Sequence, residues 1–282
     1  MKTLVIQSNG EHEENKNFRE CFSLQRAFKK HDIKCDVWGL GHDNYKENEV
    51  DFSPYDLIIN LENYDKTNWV PDLSEVNCVK MLWSIDAHFL GEEIFENTFS
   101  EGEYNLLLHS TKDFVKLEHH RWFPNCFDDT LIKPLDIDKK YFFGFCGNIV
   151  NRKPVLDYLS HEAELKQDIF VIGNKMVEAI NSYDIHFNLN ISNDINYRSF
   201  ETLGCRTALC TNMNQAYEEL GFVNGENCIL YNDVRDIPSL LDLYKYEPTV
   251  LNRIKDNGYQ LSKLHTYEKR IGLILDFYEE VR

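Results

Sequence analysis

The chain has 282 residues with 30 basic and 47 acidic side chains, which gives a formal charge of −17. Hydrophobic residues make up 43% and aromatic residues 13%, enough to fill a folded core, so wholesale disorder is excluded. Residues 1–140 hold 16 basic and 27 acidic side chains, and residues 141–282 hold 14 and 20. Neither half shows the basic excess of a general polyanion binder, and this disfavours nucleic acid as a partner.

The eight cysteines are scattered, with no C-x-x-C pair and no close histidine spacing, so their spacing predicts no zinc site. The N-terminal segment MKTLVIQSNG has too short an apolar run for a secretory signal. No apolar run approaches the roughly 20 residues needed to span a bilayer. We therefore expect a soluble cytoplasmic protein with reduced, mostly buried thiols. The sequence leaves the oligomeric state open.

Short apolar runs alternate with amphipathic stretches in the first half of the chain. Strands are predicted at 3–7, 35–40, 56–61, 78–84 and 105–110, and a helix at 17–30. Continuous apolar runs, rather than strict alternation, are typical of a parallel sheet that is covered on both faces. The pattern indicates a Rossmann-like α/β layer.

The second half repeats this pattern and ends in helices. Strands, some with their turns, are predicted at 140–148, 168–174, 184–192, 207–212 and 227–233, and a helix at 197–204. From about residue 236 the pattern is helical, and its last segment keeps one face apolar.

Together the two halves predict an α/β protein of GT-B architecture, with two Rossmann-like domains facing a central cleft and a C-terminal helix that crosses back to the first domain. The predicted divisions are an N-terminal Rossmann-like domain at 1–135, a C-terminal Rossmann-like domain at 136–265 and the returning helix at 266–282.

The segment GFCGNIVNRK (144–153) could hold a diphosphate. Gly147 and Asn148 follow a predicted strand, and Arg152 and Lys153 open the next helix. Glycine lets the backbone approach a phosphate, the helix N-terminus supplies N–H groups, and the two cations neutralise charge. Glycines after strands are also common in simple turns, so a turn that binds no ligand is the alternative interpretation.

A more specific pattern lies in NLNISNDINYRSFETLGCRTALCTN (188–212), where a strand ends in a polar loop. Arg198 and Glu201 follow, three residues apart on the same side of a helix. The carboxylate could accept both hydroxyls of a ribose, and the guanidinium could meet phosphate or sugar oxygens. A surface ion pair is the alternative. The candidate donor-binding residues of this segment are Asn193, Asp194, Asn196, Arg198, Ser199 and Glu201.

This segment resembles the signature of the CgeB-like (spore maturation) glycosyltransferases, a GT-B group in which D-x-N-x-R-x-F-E-x-L-A-C-G is usual. Three other segments are similar to elements of that family in the same order. They are WSIDAH (83–88), PNCFDDTLIKP (124–134) and GYQLSKLHTYEKR (258–270), the last with H-T-Y-x-x-R. The resemblance spans roughly residues 80–270. Arg206 departs from it, because the family has glycine there; this cation lies either beside the donor pocket or on the surface.

The resemblance implies a nucleotide-sugar donor, first of all a uridine diphosphate sugar, held by the C-terminal half. Glu201 would bind the ribose, Arg198 and the loop 193–197 would face the diphosphate and sugar, and Arg152 and Lys153 would stabilise the leaving diphosphate. Such side chains and helix dipoles replace a bound metal in typical GT-B enzymes. We therefore expect a metal-independent enzyme with no cofactor besides the nucleotide-sugar co-substrate.

The acceptor side is expected in the first half. Asp86 and His88 lie at the end of a predicted strand, and either could take the proton from an acceptor hydroxyl. His12 is a second candidate base, in a loop whose Gly10 and Glu11 are candidate acceptor-side residues. The pair His119-His120 could touch a phosphate or lie in a solvated turn.

The leading hypothesis is a glycosyltransferase that acts on an acceptor hydroxyl. The acceptor could be a glycan, a small molecule or a hydroxymethylated pyrimidine of phage DNA. The alternatives are a GT-B nucleotide-sugar epimerase and a non-catalytic nucleotide-sugar-binding protein.

Overall fold

The computed structural model describes residues 1–46, 50–61 and 69–282. The chain forms two compact units: residues 1–125 with 267–282 make the first, and residues 126–266 make the second. Each unit is built on one parallel β-sheet.

The first unit contains six parallel strands in the order β2-β1-β3-β4-β5-β6. They are β1 Lys2–Ile6, β2 Lys34–Trp38, β3 Leu57–Leu61, β4 Val79–Ser84, β5 Leu106–His109 and β6 His120–Trp122. Every residue of the central strands β3 and β4 is buried, as their continuous apolar runs predict. Strand β6 is absent from the sequence prediction because three residues, two of them basic, give no apolar run.

The helices of this unit that lie within residues 1–125 are short. They are α1 Glu20–Lys30, α2 Ala87–Leu90 and α3 Glu92–Glu101, with 3₁₀ turns at Glu13–Phe18 and Lys112–Phe114. The single helix predicted at 17–30 is interrupted at Arg19, whose backbone is extended (φ −67°, ψ 151°).

The second unit contains five parallel strands in the order β11-β10-β9-β7-β8. They are β7 Tyr141–Gly147, β8 Lys166–Ile169, β9 Tyr183–Asn188, β10 Ala208–Asn212 and β11 Ile229–Tyr231. Its helices are α4 Lys153–Glu162, α5 Gly173–Asn181, α6 Tyr197–Gly204, α7 Ile237–Tyr246 and α8 Pro248–Ser262. Two 3₁₀ turns lie at Gln215–Leu220 and Val234–Asp236.

Residues 126–135 belong to the second unit, so the boundary lies earlier than the 135/136 junction expected from the sequence. The side chain of Asn181 explains this, because its Oδ1 accepts from the backbone N–H of Leu135 (2.8 Å) and its Nδ2 donates to the carbonyl of Lys133 (3.1 Å). The N–H of Phe127 also donates to the carbonyl of His265 (3.2 Å). These bonds attach the linker to the second sheet's helices.

The C-terminal helix α9, Tyr267–Val281, returns to the first unit and packs against α1, as the sequence predicts. Lys30 and Glu268 form an ion pair at 2.9 Å between the two helices. The buried guanidinium of Arg270 donates to the carbonyls of Pro124 (2.8 Å) and Asn125 (3.1 Å). The H-T-Y-x-x-R segment thus anchors the chain where it re-enters this unit.

All eight cysteines are free thiols, six of them buried and two half-buried. Burial raises the pKa of Cys21 to about 12 and that of Cys146 to about 11. In the described part of the chain, no helix is both long and apolar enough to cross a membrane.

Candidate functional site

The carboxyl ends of the five strands of the second unit lie at one edge of their sheet, because all the strands are parallel. Helices α4, α5 and α6 each begin shortly after a strand ends at this edge. The N-terminus of a helix carries free N–H groups and a partial positive charge. This edge is therefore suited to an anionic ligand, and it carries the predicted donor residues.

Arg198 and Glu201 form an ion pair on α6, with Nη1 of the arginine against Oε2 of the glutamate. The side chains are only 24% and 12% exposed, so this is not the surface pair that the spacing also allowed. The Nε of Arg198 donates to the carbonyl of Cys146 at the end of β7 (3.0 Å). The pair therefore links α6 to the strand that leads into the predicted diphosphate loop.

Arg152 is half-buried and directed across the same edge. Its Nε donates to the carbonyl of Leu189 (3.0 Å) and its Nη1 to that of Asn148 (3.3 Å). Burial lowers the pKa of Arg152, and repulsion from Arg198 lowers it further. The two guanidiniums are close enough to repel each other, and a bound dianion would relieve that repulsion.

Lys153 does not join this group. Its Nζ contacts Asp157 one turn along α4 (2.7 Å), and both side chains are more than half exposed. Gly147 is the last residue of β7, and the side chain of Asn148 accepts from the N–H of Val150 (2.9 Å) in a local turn.

The polar loop after β9 is held by a buried hydrogen-bond network that the sequence did not reveal. Asn188 donates from Nδ2 to Thr211 Oγ1 (3.0 Å) and to Ser199 Oγ (3.3 Å). Asn190 donates to the hydroxyl of Tyr217 (2.7 Å), which also bonds Ser199 (2.9 Å). Ser199 is fully buried, so it stabilises the loop through these hydrogen bonds rather than by facing solvent.

The remaining loop residues differ in exposure. Asn196 precedes α6 and donates from Nδ2 to Asn188 Oδ1 (3.1 Å). Asp194 is only 5% exposed, whereas Asn193 is exposed and its carbonyl accepts from Asn214 (2.8 Å). The loop thus presents a fixed polar backbone at the sheet edge.

Phe170 is a further feature of this edge that the sequence did not predict. Its side chain is 63% exposed, and its backbone adopts a left-handed conformation (φ 55°). Its N–H donates to the carbonyl of Gly147 (3.2 Å), which places it beside the predicted diphosphate loop. An exposed aromatic residue in a strained conformation is a frequent feature of ligand sites.

In the first unit, Asp86 and His88 lie directly after β4, at the start of α2. His88 Nε2 and Asp86 Oδ1 are 4.0 Å apart, and the two side chains are 13% and 39% exposed. The backbone carbonyl of Asp86 accepts from the N–H of Leu90 (3.0 Å), which closes the single turn of α2. The two candidate acid–base groups therefore lie together at the carboxyl edge of the first sheet.

The loop after β1 presents Gly10, Glu11 and His12 to solvent. Gly10 has φ +75°, and a Cβ at this position would lie 2.8 Å from the guanidinium of Arg19. The loop is anchored by Gln7, which donates to Glu20 Oε2 (2.7 Å) and accepts from the N–H of Cys21 (3.0 Å).

His119 lies in a turn and is 29% exposed, whereas His120 begins β6 and is buried, so the alternative of a solvated turn does not hold for His120. Both imidazoles face Glu96 on α3, and these three side chains are the only group in the described residues whose ligand atoms could share a metal ion. Arg206 proves to be a surface residue, paired with Asp256 at 2.5 Å with both side chains at least half exposed.

Residues 142–276, just under half of the chain, match a family model described as glycosyl transferase-like. No curated protein matches the sequence. The solved structure of Anabaena Alr3699/HepE in complex with UDP and glucose has 11% identity and a TM-score of 0.65, covering 98% of this chain and 99% of its own.

Two other solved structures are similar over nearly the full length. An alpha-glucosyltransferase in complex with UDP and a 13-mer DNA containing a HMU base has 10% identity and a TM-score of 0.69, covering 99% of each chain. T4 phage BGT in complex with UDP and Mn²⁺ has 10% identity and a TM-score of 0.67, covering 100% of this chain and 99% of its own. This likeness and the two parallel-sheet units show that the chain has the GT-B fold.

Proposed function

We propose that the protein is a glycosyltransferase that moves a sugar from a nucleotide-diphosphate donor to an acceptor hydroxyl. One observation carries the proposal: Arg152 and Arg198 lie with Glu201 at an edge where three helices begin, within the segment that matches the glycosyltransferase-like family model. A diphosphate leaving group needs this positive potential, since negative charge develops on it in the transition state.

We propose a uridine diphosphate sugar as the donor, since the three similar structures contain UDP. The two guanidiniums would bind the diphosphate. The carboxylate of Glu201 has acceptor capacity beyond its contact with Arg198 and would bind the ribose hydroxyls. Phe170 would stack on the base, because it is the exposed aromatic side chain beside Gly147.

For proton transfer we propose Asp86 and His88, with His12 as the second candidate base. An imidazole oriented by a carboxylate can accept a proton from an acceptor hydroxyl near neutral pH. The 4.0 Å separation of the two groups allows Asp86 to stabilise the imidazolium after that transfer.

We propose that the arginines and helix N-termini suffice to hold the diphosphate without a resident metal. T4 phage BGT, however, has been solved with Mn²⁺, so a metal must be tested directly. Transfer measured after chelation and again with added Mn²⁺ provides the test. Equal rates would support the proposal, and dependence on Mn²⁺ would contradict it.

The acceptor is proposed to be a glycan or small-molecule hydroxyl, because residues 1–140 hold 16 basic and 27 acidic side chains. The similar structure with bound DNA motivates one explicit comparison, between duplexes with and without hydroxymethylated pyrimidines. The CgeB-like relationship remains a proposal that rests on the sequence segments alone.

Calorimetric titration with UDP and GDP, followed by an acceptor screen with radiolabelled UDP-sugars, tests the donor and the reaction together. We expect UDP to bind and a labelled product to form. Phe170→Leu is expected to weaken UDP binding more than pyrophosphate binding, because only UDP has a base to stack. Failure to bind any nucleotide diphosphate would contradict the proposal. Binding without hydrolysis or transfer would favour a non-catalytic binder, and interconversion of UDP-sugars would favour an epimerase.

A further inference from the structure

We propose that Glu96, His119 and His120 form a binding site for a divalent transition-metal ion in the first unit. Their ligand atoms all lie within 4.8 Å of one another. Glu96 Oε2 is 3.3 Å from His119 Nε2, and Glu96 Oε1 is 2.7 Å from His120 Nε2. Two imidazoles and one carboxylate are a donor set that suits zinc, nickel or cobalt, whereas Mg²⁺ and Ca²⁺ prefer oxygen ligands.

Two of the donor-atom distances can be compared with those of a tetrahedral site. Metal–nitrogen bonds of about 2.0–2.1 Å place two ligand atoms about 3.3 Å apart. The contact between Glu96 and His119 already has this length, and the contact between Glu96 and His120 must lengthen by about 0.6 Å. Three protein ligands leave a fourth position for water or a small anion.

The orientation of His120 favours a cation in this position. Its Nδ1 lies 2.8 Å from the carbonyl of Phe114, and it donates to that carbonyl in the tautomer that carries the ring proton on Nδ1. In the other tautomer, Nδ1 accepts from the N–H groups of Lys116 (3.2 Å) and Leu117 (3.4 Å). In the tautomer protonated at Nδ1, Nε2 directs a lone pair towards the Glu96 carboxylate, and a metal ion between the two would be bound by both. A carbonyl within reach of the other ring nitrogen is typical of histidine ligands.

The surroundings combine a rigid frame with access from solvent. The ring of His119 stacks on Phe99 (centroids 4.2 Å apart, 16° between planes), which fixes its direction. His119 and Glu96 are 29% and 30% exposed, so an ion can enter from solvent.

A third histidine provides an independent observation. His109 is 1% exposed, and neither of its ring nitrogens has a hydrogen-bond partner in the described part of the chain. Its ring lies perpendicular to that of His120, with centroids 4.7 Å apart. A buried imidazole without partners is costly in free energy, and here it adds unused nitrogen donors next to the proposed ligands.

The three proposed ligands belong to the first unit, whereas the proposed donor residues all belong to the second unit. Metal binding can therefore be tested without reference to sugar transfer. Glu96→Gln keeps the side-chain shape, and His119→Phe keeps a ring on Phe99 while removing the nitrogen. His161→Ala is the matched control, since His161 and Glu162 form an exposed pair (2.7 Å) with no third ligand.

The experiment is equilibrium dialysis and calorimetry of the chelator-treated, reduced full chain with Zn²⁺, followed by Co²⁺ titration with visible absorption. We expect one ion per chain, a Co²⁺ spectrum of nitrogen and oxygen ligands without a thiolate charge-transfer band, and roughly 10-fold or greater loss of affinity in both ligand variants. His161→Ala should bind like wild type.

Three results would overturn the proposal. Wild type could bind no stoichiometric ion, which would leave the cluster a set of histidine–glutamate hydrogen bonds. A thiolate band would assign the ion to cysteines. Unchanged affinity in folded Glu96→Gln and His119→Phe proteins, verified by circular dichroism, would place the ion elsewhere.

Discussion

His186 and Cys146 join strands β9 and β7 through a side chain rather than through the sheet ladder alone: the N–H of Cys146 donates to His186 Nε2 at 3.1 Å. Because Nε2 accepts, the ring proton lies on Nδ1 and is donated to Thr202 Oγ1 (2.5 Å). The threonine hydroxyl donates to the carbonyl of Arg198 (2.5 Å), whose own guanidinium returns to the carbonyl of Cys146 (3.0 Å). This closed ring of hydrogen bonds fixes the first turn of α6 against the end of β7.

These hydrogen bonds require a neutral imidazole at His186, so we expect the stability of the fold to depend on pH. Burial, together with the nearby charge of Arg198, lowers the pKa of His186 to about 3. Between pH 6.5 and 5 the unfolded chain gains a proton at this residue that the folded chain does not bind. Stability present above the unfolded pKa of about 6.5 is thus lost as the pH falls, by about 2 kcal/mol at pH 5.

The measurement is urea unfolding at pH 7 and pH 5 of wild type and His186→Asn. The variant is expected to be less stable at both values, yet its loss between them should be about 2 kcal/mol smaller. An identical loss in both proteins would show that His186 is protonated in the folded state or does not control this range.

Removal of Arg198 or Glu201 is expected to weaken UDP binding by roughly 10- to 100-fold, because charge-assisted hydrogen bonds contribute about 1.5–3 kcal/mol each. Arg198→Ala and Glu201→Gln, titrated by calorimetry, provide the measurement. Arg206→Ala removes an exposed ion pair and should bind UDP like wild type. If the ion pair is purely structural, its loss will instead lower the melting temperature and leave the UDP affinity unchanged.

Arg152 and Lys153 are adjacent in sequence and are expected to differ in effect. Arg152 is half-buried at the sheet edge, whereas Lys153 is exposed and paired with Asp157. Arg152→Ala should weaken UDP binding by about 10-fold or more, and Lys153→Ala by less than about 3-fold. The same titration measures both. Equal losses would indicate that Lys153 leaves Asp157 to bind the donor.

Asp86→Asn and His88→Ala are expected to lower the transfer rate constant by roughly 10²–10⁴-fold while UDP affinity stays constant. The reason is that these groups would act on the acceptor proton, and the donor residues lie in the other unit. Single-turnover kinetics with saturating donor separates the two quantities. Full activity in both variants would redirect attention to His12, with His12→Ala as the next variant.

Arg206→Gly is expected to stabilise the fold by up to about 1 kcal/mol. Arg206 follows the end of α6 with φ 55°, a left-handed conformation that glycine adopts without strain. Its exposed pair with Asp256 is worth less than that strain. Thermal unfolding measures the change. Arg206→Ala is the control, because it loses the pair and keeps the strained backbone, so it should be slightly less stable than wild type.

The sequence predicted both sheets and the returning helix, because buried parallel strands are continuous apolar runs and α9 has one apolar face. It also identified Arg198 and Glu201 as a pair, since a spacing of three places two side chains on one side of a helix. It missed β6, which is too short for a pattern, and it placed the domain boundary too late because Asn181 and His265 bind the linker from far along the chain.

Only the tertiary structure showed which sequence neighbours share an environment. Arg152 and Lys153 look alike in sequence, yet Arg152 precedes α4 and reaches the carbonyl of Leu189, whereas Lys153 is the first residue of the helix and lies exposed against Asp157. Other contacts join residues that lie at least 16 positions apart in the chain. They include the bonds of His186 to Thr202, of Asn188 to Thr211 and of Glu96 to His120. The reason is physical: local periodicity records which face of an element is buried, whereas hydrogen-bond partners are set by how separate elements pack.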